Sequence, residues 1–128
     1  MPREVVPTPA LTSSPGFSHA VRAGGLLVVS GQVARDGQGR LVGAGDPATQ
    51  AQQVFANLRV ALAAGGAGLD DVVKLGIFVT DLEARPAVAA VRDQVFVEPR
   101  PASTFVVVAS LADSDLLVEV EALAWTGT

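Results

Sequence analysis

Residues 101–108 read Pro-Ala-Ser-Thr-Phe-Val-Val-Val, a stretch in which turn-forming residues give way to strand-forming ones. Side chains alternate between the two faces of a strand, and both faces of this one are apolar. One face carries Thr104, Val106 and Val108, and the other carries Phe105, Val107 and Ala109. The stretch Leu26–Ser30 repeats the pattern, since Leu26 and Val28 alternate with Leu27 and Val29. A sheet built from such strands needs cover on both sides.

Periodicity and turn residues outside this stretch predict the remaining elements. A hairpin is expected over residues 19–32 with its turn at 23–25, because glycines separate two apolar runs. Asp46-Pro47 is typical of a helix start, and Gly65-Gly66 of a helix end. The other predicted elements are an edge strand near 3–6, strands at 72–79, 104–109 and 117–125, and a helix at 83–95. Apart from the short edge strand, the order β-β-α-β-α-β-β indicates an α+β fold, and 128 residues suit a single domain over 1–128.

Two helices of this length cover only one face of the sheet. The second apolar face would then be an aggregation surface unless something buried it. Other copies of the same chain are the simplest cover, so the sequence predicts a homo-oligomer.

Composition excludes several classes of protein. The net charge of −4 disfavours nucleic-acid binding, which depends on clustered Lys and Arg. The chain has no cysteine and one histidine, so we expect no metal site, and no cofactor motif is present. No apolar run approaches the roughly 20 residues that span a bilayer, and the N-terminal residues lack a signal-peptide core. We therefore expect a soluble, cytoplasmic protein without a membrane partner.

Three segments together carry a family resemblance. They are Ser30-Gly31-Gln32, Pro101-Ala102-Ser103-Thr104 and Val118-Glu119-Val120-Glu121-Ala122. With residues 16–21, 71–74 and 78–81, they resemble the Rid (YjgF/YER057c/UK114) family of reactive enamine/imine deaminases. The resemblance implies a chorismate-mutase-like fold and homotrimers with a barrel-like centre. It also implies clefts between subunits that bind a small molecule.

The resemblance also places the candidate site residues. Glu119 stands where the family has its glutamate, and Ser30 and Gly31 where main-chain groups line the cleft. Phe17 stands at a tyrosine and lacks its hydroxyl. Ser103 replaces the arginine that holds a substrate carboxylate through two charge-assisted hydrogen bonds. The resemblance thus identifies the chain as a divergent member of the family, from which we expect inefficient deamination of 2-aminoacrylate.

Other polar residues have both a functional and a structural interpretation. Arg92, where the family often has an aromatic residue, is either a ligand-binding cation or part of a solvated helix face. Arg100 is better explained by a surface loop. His19, commonly glutamine in the family, is more typical of strand-edge structure than of catalysis, although histidine titrates near neutral pH.

The glutamates of the last strand also leave alternatives open. Glu119 and Glu121 share a strand face with apolar side chains, which favours a raised pKa and acid–base chemistry. The alternatives are solvent exposure or an ion pair, for example with Lys74. Ser30 has no basic partner of the kind that a nucleophile needs, so we interpret it as a wall of the pocket.

The sequence leaves three functions open. The first is hydrolysis of a small imine, enamine or related neutral metabolite, with Glu119 positioning water. The second is a non-catalytic trimeric protein that binds a small molecule or regulates. The third, an endoribonuclease or translation inhibitor, conflicts with the acidic charge.

Overall fold

The computed structural model describes residues 2–127, so Met1 and Thr128, at the ends of the predicted domain, lie outside the described residues. A six-stranded sheet has the strand order β1-β2-β3-β6-β4-β5. Its strands are β1 (Glu4–Val5), β2 (Ala20–Ala23), β3 (Leu26–Gln32), β4 (Val72–Val79), β5 (Ala102–Val107) and β6 (Val118–Trp125). The helices are α1 (Pro47–Ala64) and α2 (Arg85–Val95), and short 3₁₀ turns lie at Leu69–Asp71 and Leu82–Ala84.

The sheet is mixed, which confirms the predicted α+β fold. The last strand in sequence, β6, lies in the middle of the sheet and pairs antiparallel with β3 and β4. β5 pairs in parallel with β4, and the connection between them contains α2. A parallel pair requires such a crossover, because no tight turn returns the chain to the same end of the sheet. β5 is the last strand in the order of the sheet, so it is an edge strand.

Both helices lie on one face of the sheet. α1 begins where the Asp46 carboxylate accepts a hydrogen bond from the Thr49 amide at 3.2 Å, with Pro47 in the first turn. It ends near Gly66, whose φ of 78° is the left-handed region that glycine adopts without strain. The core beneath the helices is built from alternate strand residues, namely Leu27, Val29, Leu75, Ile77, Val79, Val118, Val120, Ala122 and Ala124.

Several element boundaries differ from the predicted ones by one or two residues, including the end of β5 at Val107 and the start of β6 at Val118. β5 begins at Ala102 rather than at residue 104, because pairing with β4 extends the strand through its polar residues. The helix predicted from residue 83 begins as a 3₁₀ turn capped by Asp81, and the α-helix starts at Arg85. Pro86 suits that start because first-turn amides have no helical partner.

The other sheet face has no cover within the chain, and we call it the open face. Its large apolar side chains remain partly exposed: Val28 by 36%, Val106 by 40%, Leu123 by 36% and Trp125 by 50%. The prediction that both sheet faces are apolar is therefore confirmed. Burial of the open face by other copies stays a prediction.

Candidate functional site

Glu119 lies on the open face near the middle of the sheet. Its strand neighbours Val118 and Val120 are buried under the helices, so alternation turns Glu119 to the opposite side. Desolvation by burial, and secondarily the charge of Glu121, raise the pKa of the Glu119 carboxyl. Among the described residues no cation pairs with it. Such a carboxyl holds a proton more readily than an ordinary glutamate does, which suits acid–base chemistry.

Gly31 provides the space that the Glu119 side chain occupies. A Cβ atom built on Gly31 would lie 2.4 Å from Glu119 Oε2 and 2.5 Å from its Cδ. The regular pairing of β3 with β6 shifts register between Val29 and Gln32, so Gly31 lies in a bulge. The glycine of the Ser-Gly-Gln segment is thus explained sterically. Because Gly31 has no side chain, the Glu119 carboxylate can pack against the backbone.

Ser30 anchors the segment before β2 as well as lying at the site. Its hydroxyl donates to the Ser18 carbonyl at 2.6 Å, and its amide donates to the His19 carbonyl at 2.9 Å. The predicted role as a pocket wall is compatible with these bonds, which leave a lone pair of the hydroxyl oxygen free to accept.

Phe17 is the exposed aromatic residue of the site, with 56% of its surface accessible. It borders a small hollow of about 60 Å³ that is also lined by His19, Gly31 and Gln32. It also borders an open groove of about 500 Å³ that runs along residues 5–14. The structure therefore brings Phe17, Ser30, Gly31 and Glu119 into one region.

Ser103 and Arg92 form a second cluster. The Arg92 guanidinium donates from Nη1 to the Ser103 hydroxyl at 3.4 Å, while its Nε donates to Asp93 at 3.1 Å. Arg85 and Arg92 both approach the Phe105 ring, at 5.2 Å and 6.0 Å from its centroid. The cluster thus places the Arg92 guanidinium beside the serine, while the Arg85 guanidinium lies over the neighbouring aromatic ring at the sheet edge.

The two clusters are separate within one chain. Ser103 pairs with Leu75, which pairs with Ala122, so all three point toward the helices, whereas Glu119 points to the open face. Two strand spacings and three residue rises put the backbone positions of Ser103 and Glu119 about 14 Å apart. A site containing both residues would need a second copy of the chain.

Other predicted candidates have structural partners. Lys74 donates to the Thr104 hydroxyl and does not pair with Glu119 or Glu121. Arg100 donates to the Phe96 carbonyl at 3.0 Å and to Glu98 at 2.9 Å, in agreement with the surface-loop interpretation. Within residues 2–127 no group of three or more His, Asp or Glu side chains has the arrangement of a metal site.

Sequence reasoning missed two buried amides beside the site. Gln32 is 2% exposed and Asn57 is 8% exposed. Asn57 donates to the Val33 and Arg35 carbonyls at 2.9 and 2.8 Å, which fixes the chain just after β3. The available signal was a glutamine ending an apolar strand and an asparagine on the apolar face of a predicted helix.

Comparison with known proteins agrees with this fold and with the sequence motifs. The sequence model of the family described as Endoribonuclease L-PSP matches residues 8–126. The 2-iminobutanoate/2-iminopropanoate deaminase of Dermatophagoides farinae is 32% identical over 123 residues, which are 95% of this chain and 95% of that protein. RidA from an Antarctic Psychrobacter superposes with a TM-score of 0.88 at 31% identity, covering 95% of this chain and 98% of that chain. The YjgF gene product of E. coli gives a TM-score of 0.87 at 30% identity, with coverage of 95% and 98%.

The fold therefore belongs to the chorismate-mutase-like class, with a mixed sheet covered by two helices on one face. Within that class, the chain belongs to the Rid (YjgF/YER057c/UK114) family, whose sequence model covers almost its whole length. In the described part of the chain, no helix has the length and apolar character needed to span a membrane.

Proposed function

We propose that this protein hydrolyses a small imine or enamine in clefts formed between the subunits of a homotrimer, with Glu119 as general acid and base. The observation that carries the proposal is the half-buried Glu119 carboxyl, whose pKa is raised and which packs on Gly31 without a cationic partner among the described residues. The similarity to a named imine deaminase supports the reaction class.

The reaction needs one proton acceptor that later becomes a donor. An enamine first tautomerises to the imine. The oxygen of a water molecule then bonds to the imine carbon while the Glu119 carboxylate takes a proton from the water. The resulting carboxylic acid protonates the nitrogen to give a carbinolamine. Glu119 then transfers the proton of the carbinolamine hydroxyl to the nitrogen while the carbon–nitrogen bond breaks, so that ammonia leaves and the carbonyl product forms. A carboxyl with a raised pKa suits both steps.

The residues that would line a cleft between two copies of the chain favour a substrate with little charge. Ser103 offers one neutral hydroxyl where an arginine would hold a carboxylate, and Phe17 offers no hydroxyl. Truncating one partner of a buried charge pair costs roughly 2–5 kcal/mol, so we propose that 2-aminoacrylate is a poor substrate. Arg92, which contacts Ser103, is the residue that would bind an anionic group at this end of the cleft.

Ammonia release from imines generated in situ tests the proposal. Wild type should hydrolyse a neutral imine faster than one that carries a carboxylate. Glu119→Gln should lower the rate by about a hundredfold or more, because it removes the proton acceptor. Glu121→Gln is the matched control: Glu121 lies on the same strand face and is exposed, and because its charge is only the secondary cause of the raised Glu119 pKa, the rate should change little. Equal rates for wild type and Glu119→Gln would contradict the proposal.

A non-catalytic trimeric binding or regulatory protein is the second candidate function. It is favoured by the loss of two polar contacts, at Ser103 and Phe17. The two functions differ in one measurement, because a binding protein would bind small molecules in the cleft and release no ammonia.

An endoribonuclease, the activity in the family's description, is the third candidate function. It is disfavoured by the net charge of −4, which opposes phosphate binding. We expect nuclease-free protein to leave RNA intact at physiological salt, and cleavage that disappears in Glu119→Gln would contradict this.

A further inference from the structure

His19, the one histidine of the chain, joins two segments that border the candidate site. Its Nε2 lies 2.8 Å from the Thr12 carbonyl oxygen and 3.0 Å from the Ser14 hydroxyl. Its Nδ1 lies 3.1 Å from Nε2 of Gln32, at the end of β3. One imidazole therefore connects the segment between β1 and β2 (residues 6–19, here called the connector) with the bulge that holds Gly31.

The partners at the two ends of this chain of hydrogen bonds determine which nitrogen of the His19 ring carries the proton. Nε2 of Gln32 is also 3.1 Å from the Ser30 carbonyl, which can only accept. The Gln32 amide group must therefore present its NH₂ both to Ser30 and to His19, so His19 Nδ1 is an acceptor. The Thr12 carbonyl at the other end can only accept as well, which requires a proton on His19 Nε2. The geometry permits one arrangement, the neutral Nε2–H tautomer.

Protonation of the ring is incompatible with this arrangement. An imidazolium carries a proton on Nδ1, which would point at the NH₂ of Gln32. Turning the Gln32 amide to offer its oxygen would place that oxygen against the Ser30 carbonyl. Gln32 is 2% exposed, so water cannot easily replace the lost bond. One of the two contacts has to break.

The other charged groups around the ring do not offer an alternative partner. Residues 6–18 of the connector contain no ionisable side chain, and neither does β3. From beyond β3, Arg35 borders the same hollow but pairs with Asp113 at 2.9 Å and Asp115 at 3.5 Å. From β2, Arg22 bonds to Thr126 and to the Gly65 carbonyl. From β6, Glu119 packs on Gly31, and no ion pair links it to His19 among the described residues.

We infer that His19 is a positioning residue that holds the connector, and with it Phe17, against the β3 bulge only while its imidazole is neutral. The Phe17 and His19 rings are in edge-to-face contact with centroids 5.7 Å apart, so a change at His19 reaches the exposed aromatic wall of the site. Protonation of His19 would then loosen this wall, independently of the protonation state of Glu119. This role of His19 is a property of the protein alone and does not depend on the imine reaction.

Nuclear magnetic resonance of the full chain tests the inference, because a single histidine gives a single imidazole signal. Long-range ¹H–¹⁵N correlation should show the Nε2–H tautomer at neutral pH, and an Nδ1–H tautomer would overturn the inference. As the pH is lowered, the amide signals of Thr12, Ser14 and Gln32 should shift together with the imidazole signal.

Two variants separate positioning by the neutral ring from simple packing. His19→Gln keeps an acceptor for Gln32 and a donor for Thr12, but its side chain has no ionisable group. The Thr12 and Ser14 amide signals of this variant should therefore be independent of pH. A pH response that persisted there would refute the inference and would assign the response to Glu119.

His19→Leu loses both bonds and should speed amide exchange in the connector by roughly tenfold, whereas Gln52→Leu on the exposed face of α1 should not. If His19→Leu does not fold, the comparison of wild type with His19→Gln still decides the question.

Discussion

At the scale of single residues, Glu119 links stability to pH. Burial raises the pKa of its carboxyl in the folded protein, so folding disfavours the ionised form. The penalty is absent below the ordinary value of 4.5, where the group is protonated in both states, and is complete above the raised folded pKa. Glutamate at this position therefore costs stability at neutral pH that glutamine would not cost.

We accordingly expect Glu119→Gln to have a higher Tm than wild type at pH 7, with the difference shrinking as the pH falls toward 4.5. Thermal denaturation across this range measures the effect. Glu121→Gln is the control and should change the Tm less, because Glu121 is exposed and only secondarily raises the pKa of Glu119. A Glu119→Gln protein that was less stable than wild type at neutral pH would mean that the carboxylate has a favourable partner. Gain of stability with loss of turnover is the pattern expected of a functional group.

Ser103 is the residue at which a substitution should reverse the proposed preference for neutral imines over imines that carry a carboxylate. Ser103→Arg would restore a forked donor for a carboxylate, and we expect carboxylate ligands to bind about 30-fold more tightly or better. Titration calorimetry with a small carboxylic acid measures this, and Thr104→Arg, on the opposite strand face, is the matched control. Unchanged binding in Ser103→Arg would show that Arg92 already anchors the anion, and Arg92→Gln should then abolish it.

At the scale of elements, the bulge in β3 and the strand β6 act together. Ala in place of Gly31 would put its Cβ within 2.4 Å of the Glu119 carboxylate, so the side chain would have to leave its position. We expect Gly31→Ala to lower imine hydrolysis roughly as much as Glu119→Gln while the fold persists. Gly68→Ala is the control, because a Cβ there meets nothing within 4 Å. Full activity in Gly31→Ala would mean that the position of the carboxylate is unimportant.

The elements also show why sequence predicted the fold better than the site. Alternation and capping residues are local signals, and they placed α1 and the core strands nearly where the structure has them. The pairing of β6 between β3 and β4 is non-local, and it alone brings Glu119 beside Gly31. The buried hydrogen bonds of Gln32 depend on the connector, which has no periodic signal. Residue types therefore indicated which residues were candidates for the site. Identifying the residues that contact them required the tertiary structure.

At the scale of the whole molecule, the two sides of the sheet differ in what covers them. One chain separates Glu119 from Ser103 by about 14 Å and leaves apolar side chains on the open face partly exposed. A homotrimer that buries the open face would remove this exposed surface and supply the second wall of each cleft. The proposed chemistry and the proposed assembly therefore depend on each other.

Two valines with nearly equal exposure test this dependence. Val28 is 36% exposed on the open face, and Val60 is 37% exposed on α1, on the helical side. A charge introduced on a surface that stays in water costs little, whereas an unpaired charge buried between subunits is expensive. Val28→Glu should therefore dissociate the trimer, while Val60→Glu should leave it intact. Multi-angle light scattering at micromolar concentration measures both, and a wild type that ran as a monomer, or two variants that behaved alike, would contradict burial of the open face between copies of the chain.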